Sequence, residues 1–402
     1  MTTPKNILVI TYWQFNDALV RTYTLPYLRI IRDLLPSGST IHLVTLELSG
    51  PFAAGTTMEE GIVHHSFQLF PFGMKAILGW RSNLKVLHKL TTQANISTIH
   101  TWCTPAGAIG WLLSRKTGLP LVLDSYEPHA ESMVENGTWS RNGVAFRILF
   151  YLEKKQTHHA TWHISVAEGM QAYAKEKYNF TGKTFFVKPA CIDLNQFDIQ
   201  MRKDPVLLSE LHLQDKIVCV YAGKFGGIYQ THEAFTFFKT AAEHFGDKFR
   251  VVLLTSEKRE AIDDMAAQAK LNPEIILSRF VPHSEMPKYL GLGDFAYSAI
   301  KPVPTKRYCT PIKNGEYWAM GLPVVIPDRI SNDSDIIRGN NAGYVLKSSE
   351  VSEMKNAVET IDQLIRSESA PQLSTRIRKL AEKHRNFNTA REAYSAIYRS
   401  NE

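Results

Sequence analysis

The chain alternates short apolar runs with longer stretches in which apolar residues recur every three or four positions. Asn6-Ile-Leu-Val-Ile-Thr11 is almost wholly apolar, the mark of a strand covered on both faces. Ala18 to Leu35 then takes up the helical period. Strand-like runs return at 40–46, 62–66, 97–100, 119–124, 161–165 and 184–188, with helical stretches between the later ones. Residues 200–214 are charged and strand-free, which predicts a hinge. Alternation resumes with strands at 216–222, 249–255, 274–280, 294–298 and 323–326, and with helices at 258–270 and 284–291. The pattern predicts an α/β protein of two Rossmann-like domains, each with a parallel sheet covered by helices.

At 402 residues there is room for two such cores. A net charge of +7 suits an anionic small molecule or an anionic membrane surface, and is too weak to argue for nucleic acid. The charge is uneven, with no acidic residue between Gly61 and Leu123. Within that stretch, residues 74–90 place Arg81, Lys85 and Lys89 on one helical face and Ile77, Trp80, Leu84 and Leu87 on another. Such a helix can lie on an anionic membrane, or it can cover a core and leave its basic face in water. Met1 to Lys5 runs straight into the first strand and no apolar run reaches bilayer length. A cytoplasmic protein is expected, with the sequons at Asn95, Asn136 and Asn179 unused. The scattered Cys103, Cys191, Cys219 and Cys309 read as reduced thiols.

Candidate chemistry concentrates in Lys306 to Ile326, KRYCTPIKNGEYWAMGLPVVI. Thr310 reads as a helix cap, Pro311 as a first-turn residue and Gly321 as the left-handed stop. Lys313 and Glu316, three apart, project from one side. A lysine near a helix N-terminus favours a phosphate, while a carboxylate one turn further suits ribose hydroxyls, so the pair points to a nucleotide. Gly223, Gly226 and Gly227, with Lys224, follow a buried strand and suit a pyrophosphate. His129 closes Asp124-Ser-Tyr-Glu-Pro-His at the end of another strand, where open sheets place ligands. No G-x-G-x-x-G follows the first strand, which counts against a dinucleotide oxidoreductase. His158, His159 and His163 fall on two elements and argue against zinc. Ser165 and Glu168 read as a capping box, and Asn332-Asp-Ser-Asp335 as the cap and acidic first turn of a short helix.

Thr310-Pro-Ile-Lys-x-x-Glu-Tyr-x-Ala-x-Gly-x-Pro-Val-Val325 resembles the nucleotide-sugar motif of retaining GT-B glycosyltransferases, the family-4 group also called glycosyl transferases group 1. The resemblance implies a GT-B fold whose two sheets face an interdomain cleft. Residues 1–200 would bind the acceptor, 201–385 the nucleotide sugar, and 386–402 would form a helix crossing back to the first domain. It implies hexosyl transfer with retention from a UDP- or GDP-sugar to a glycan, lipid-linked or other cell-envelope acceptor, without a metal. Lys224 and Lys313 would face the diphosphate and Glu316 the ribose, while His129 would face the transferred sugar or the acceptor. Donor contacts would come from Gly223, Gly226, Gly227, Phe280, Val281, Tyr308, Thr310, Pro311 and Ile312, and acceptor contacts from Trp13, Asn16 and Asp17. The sequence departs from the family pattern at three places. Trp13-Gln-Phe-Asn16 replaces a pair of glycines, Tyr229 and Gln230 stand where a second base is usual, and Tyr308 replaces the first of two glutamates eight apart. A nucleotide-sugar 2-epimerase or hydrolase, which shares the two-domain plan, stays open, and Tyr308 and Gln230 keep open a non-catalytic nucleotide-sugar-binding protein.

Overall fold

A computed structural model describes the chain apart from residues 1–2, 18, 51, 53, 71–73, 183–184 and 400–402 and the side chains of 54 and 74–78. Ala18, Thr184 and Ser400, and the side chains of Lys75 and Ile77, therefore lie outside the described residues. The chain divides into two compact units, Met1–Pro189 with Asn388–Glu402, and Ala190–Phe387. The sequence expectation put these divisions at 200 and 386.

The first unit runs β1 (Asn6–Thr11), α1 (Leu25–Leu34), β2 (Ile41–Glu47), β3 (Ala54–Glu59), β4 (Ile62–Gln68), α2 (Met74–Gln93), β5 (Ile96–Trp102) and α3 (Thr104–Thr117). It continues through β6 (Leu121–Tyr126), α4 (His129–Glu135), α5 (Val144–His159), β7 (Trp162–Ser165), α6 (Met170–Tyr178) and β8 (Phe185–Val187). Its sheet has the order β3-β4-β2-β1-β5-β6-β7-β8. Every pairing is parallel except β3 with β4. The edge strand β3, AGTTME, has no apolar alternation to betray it, and is paired through the tight turn at Gly61, φ +76°.

One local expectation in this unit is modified and another fails, for identifiable reasons. The helix foreseen over 18–35 is present from Leu19 to Leu34, but its first part, Val20–Thr24, is a π-helical turn and the regular α1 starts at Leu25. Pro26, which has no N–H to donate, falls at that junction. Ser165 does not cap a helix with Glu168. Its hydroxyl donates to the carbonyls of Ala167 and Phe186, and Gly169, φ +86°, is the residue that opens α6.

The second unit runs α7 (Pro205–Glu210), β9 (Ile217–Ala222), α8 (His232–Phe245), β10 (Phe249–Leu254), α9 (Arg259–Gln268), β11 (Ile276–Arg279), α10 (Met286–Leu290) and β12 (Phe295–Tyr297). Then come α11 (Ile312–Ala319), β13 (Val324–Pro327), α12 (Asp333–Gly339), β14 (Gly343–Leu346), α13 (Val351–Ser367) and α14 (Ala370–His384). The foreseen hinge thus contains α7, whose first turn is capped by the Asp204 carboxylate. The sheet order is β11-β10-β9-β12-β13-β14, all parallel. β9 sends Val218 and Val220 into one apolar cluster with Trp318 and Ile377, and Cys219 and Tyr221 into another with Phe235 and Phe237. Because β9 and β12 are neighbours in space but not in sequence, the sheet reverses its winding between them. At such a point the loops on either side open a crevice at the carboxyl ends of the strands. The final helix α15 (Phe387–Tyr398) returns the chain to the first unit.

Candidate functional site

Both loops at that reversal carry the residues singled out in the sequence. After β9 the backbone enters conformations that only glycine adopts cheaply, with φ of +137° at Gly223, +77° at Gly226 and +58° at Gly227. Lys224 is exposed on this loop, and its carbonyl accepts a 2.6 Å hydrogen bond from the Tyr221 hydroxyl. The Gly226 N–H is already given to Thr231 Oγ1 at 3.0 Å.

After β12 the chain makes a 3-10 turn over Pro304–Tyr308 and enters α11. Pro311, not Thr310, is the N-cap residue, and it makes no side-chain cap. The stop is as expected. Gly321 has φ +67°, and a Cβ there would meet the Ser374 backbone at 2.6 Å.

Lys313, in the first turn of α11, reaches the glycine loop. A Cβ added to Gly223 would lie 2.6 Å from its Nζ, so the missing side chain at Gly223 makes room for the ammonium. That Nζ is buried and has no hydrogen-bond partner among the described residues. It lies 4.1 Å from the centre of the Tyr229 ring and 4.8 Å from that of Tyr221. Burial pushes its pKa down to about 7, against the pull of Glu316. A buried cation held only by ring faces is an electrostatic deficit that an anion would fill.

Glu316 is 7% exposed, and its Oε1 lies 3.0 Å from His283 Nε2. The Gln196 amide points a donor at His283 Nδ1, 3.3 Å away. With Nδ1 accepting, Nε2 carries the proton and donates it to Glu316. The sequence reading named Phe280 and Val281, of the segment before this histidine, as donor contacts and missed the imidazole. Of the two, Phe280 is 73% exposed while Val281 is buried. Tyr308, Thr310, Pro311 and Ile312 are half-buried along the approach to α11.

Two further residues place α11. The Tyr317 hydroxyl accepts from the Ala222 N–H at 2.8 Å, tying the helix to the end of β9. Behind it, fully buried Asp333 binds the Arg385 guanidinium and accepts from Asn314 at 2.8 Å. Asp333 does stand in the acidic first turn of α12, as the sequence predicts, and from there it anchors α11, while Asn332 makes no side-chain cap. A Cβ at Gly315 would sit 3.2 Å from Arg385 Cγ, so the guanidinium stem uses the space a larger residue would fill.

In the first unit, His129 is the first residue of α4, with Nδ1 3.8 Å from a Glu127 carboxylate oxygen. Trp13, Asn16 and Asp17 follow β1, at the same carboxyl edge of the sheet as His129 after β6. Asn16 accepts from Arg21, while the Asp17 carboxylate takes the Leu19 N–H. His158, His159 and His163 each pair separately, with the Tyr178 carbonyl, Ser114 and the Thr157 carbonyl. All four cysteines are free thiols.

Residues 216–363, from just before β9 into α13, match the family described as glycosyl transferases group 1. The whole chain has the GT-B fold of known glycosyltransferase structures. Sucrose-phosphate synthase from Thermosynechococcus elongatus superposes with a TM-score of 0.75 at 13% identity, covering 98% of both chains. WaaG, a glycosyltransferase involved in lipopolysaccharide biosynthesis, gives 0.70 at 11%, with 97% of this chain and 99% of that one covered. Anabaena Alr3699/HepE in complex with UDP gives 0.68 at 13%, covering 96% and 97%. No curated protein sequence matched the chain. At these identities the solved structures show the fold alone, and with the family match they support a GT-B glycosyltransferase.

Proposed function

We propose that the protein transfers a hexosyl group from a UDP- or GDP-sugar, with retention of anomeric configuration, to a glycan, lipid-linked or other cell-envelope acceptor. The observation that carries this reading is the buried, unpartnered Lys313 ammonium beside Gly223. It supplies a positive charge, favoured once a diphosphate is bound, where the leaving group would gather negative charge as the glycosidic bond breaks. Lys224, exposed on the same loop, adds a second cation. Glu316, held by His283, offers its carboxylate to the ribose hydroxyls. The acceptor hydroxyl attacks the anomeric carbon from the side the diphosphate leaves, and its proton passes to the departing phosphate oxygen. His129, at the carboxyl edge of the first unit's sheet, faces the transferred sugar or the acceptor, and Trp13, Asn16 and Asp17 line the acceptor approach. No metal is invoked. The similar Anabaena structure is a complex with UDP, which supports the nucleotide class. Residues 74–90 give the protein a contact with the inner face of the membrane, where lipid-linked acceptors reside.

A thermal-shift screen with UDP-, GDP- and ADP-sugars, followed by product analysis with and without acceptor, tests the reading. Stabilisation by one nucleotide class and product only with acceptor is the expected result. Sugar epimerised or released without acceptor points instead to an epimerase or hydrolase. Stabilisation without turnover leaves a binding protein.

A further inference from the structure

Helices α2, α3 and α5 of the first unit lie side by side, with α3 between the other two. The right-handed crossovers that carry them place all three on one face of the sheet. Their charge is one-sided. α2 exposes Arg81, Lys85 and Lys89, and α3 adds Arg115 and Lys116. Arg147, Lys154 and Lys155 extend the field along α5. The single acidic residue in the three helices, Glu153, is fully buried and turned inward, its carboxylate accepting from the Ala130 N–H and the Tyr178 hydroxyl. Helix α13 of the second unit shows what an ordinary solvated helix looks like here, with Glu353, Glu359 and Asp362 set against Lys355 and Arg366.

The same face is also apolar where water should meet it. On α5, Val144, Ile148 and Tyr151 repeat every three to four residues and are 70%, 45% and 55% exposed. Leu112 on α3 and Val86 on α2 are exposed as well, at 41% and 52%. Between α3 and α5 lies a hollow of about 360 Å³ lined by Trp111, Arg115, Tyr151, Lys155, His158 and His159. There Arg115 lies over the Trp111 ring and Lys155 over that of Tyr151, at 5.4 and 5.2 Å from the ring centres.

We propose that this three-helix face is a docking surface for an anionic lipid bilayer, with the helices lying flat in the headgroup region and the α3–α5 hollow receiving phosphate headgroups. Charge complementarity selects an anionic partner. The aliphatic stripe selects a bilayer over a nucleic acid, because a polyanion in water gives Val144 and Ile148 nothing to enter. No described helix is long and apolar enough to cross the membrane, so the contact is one of surface adhesion. The inference widens the contact of residues 74–90 to two further helices, and needs no nucleotide, so its failure and that of the transferase reading are separable.

Sedimentation of the full chain with vesicles tests it. Binding is expected to phosphatidylcholine vesicles containing phosphatidylglycerol, to weaken steeply with added salt, and to be absent with phosphatidylcholine alone. Neutralising or reversing Arg115, Lys154 and Lys155 is expected to cost at least about fivefold in partitioning per charge. Ile148→Ser with Tyr151→Ser should weaken binding while preserving its salt dependence. Unchanged melting temperature in each variant shows that folding is not the cause. Equal partitioning onto both vesicle types, no partitioning at all, or a charge-reversed variant that binds as well as the parent overturns the proposal. So does a preference for duplex DNA over the anionic vesicles.

Discussion

At the residue scale the controlling fact is that one lysine is held near its titration point. With its pKa at about 7 instead of 10.5, Lys313 is partly neutral in the empty protein at physiological pH. A bound diphosphate favours the charged form, so binding above pH 7 should take up protons. Calorimetry of UDP binding in buffers of different ionisation enthalpy checks this, and Lys313→Ala should abolish both the proton uptake and most of the affinity. The same shift has a sign for stability. Between pH 7 and 10.5 the unfolded chain binds more protons at this residue than the folded one, so its contribution to stability rises with pH across that window. Lys313→Met should flatten that part of the denaturation profile. On turnover, Lys313→Ala should lower kcat by about 10²–10³, the usual effect of removing one preorganised charge partner. Glu316→Ala is expected to cut transfer sharply too, with little change in melting temperature. Turnover at the parent level in both variants would remove the assignment.

Among elements, α11 is the one whose placement decides whether Lys313 meets Gly223. It is fixed from behind by the Asp333–Arg385 pair, both partners essentially fully buried. Removing one partner leaves a buried charge, so Arg385→Met should destabilise the second unit by roughly 3–5 kcal/mol. Chemical denaturation measures the loss, and weaker UDP binding in the surviving folded fraction would show that the pair also positions the helix. The sequence disclosed α11 itself and its glycine stop, and placed Lys313 and Glu316 on it, because these are local signals of period and capping. Asp333 and His283 were not legible, because their partners lie 52 and 33 residues away in the chain. A buried aspartate and a solvated first-turn aspartate are the same letter. The edge strand β3 escaped for a related reason, since its polar residues are tolerated only because one side of an edge faces water.

Over the whole molecule, the first unit is completed by residues from both ends of the sequence. Tyr394 donates a 2.7 Å hydrogen bond to buried Asp124, and the Tyr398 hydroxyl lies 2.7 Å from His100 Nδ1. Asp124 also takes His100 Nε2 at 3.2 Å and Lys188 Nζ at 3.1 Å, and the ammonium sits 3.8 Å from the centre of the Tyr27 ring. Burial alone would raise the Asp124 pKa, but Lys188 and these hydrogen bonds hold it below its usual range. Tyr394→Phe removes a bond to a charged, buried acceptor and should cost about 1.5–3 kcal/mol, read as a lower denaturation midpoint.

The position of α15 has a consequence for how the protein comes off the ribosome. The second unit is one uninterrupted segment and can close as soon as it has been synthesised. The first unit, begun earlier, must wait with Asp124, Lys188 and His100 unsealed until residues 388–398 have emerged. The half made first is therefore finished last, and a nascent chain halted before α15 should carry a folded second unit and an unsettled first one.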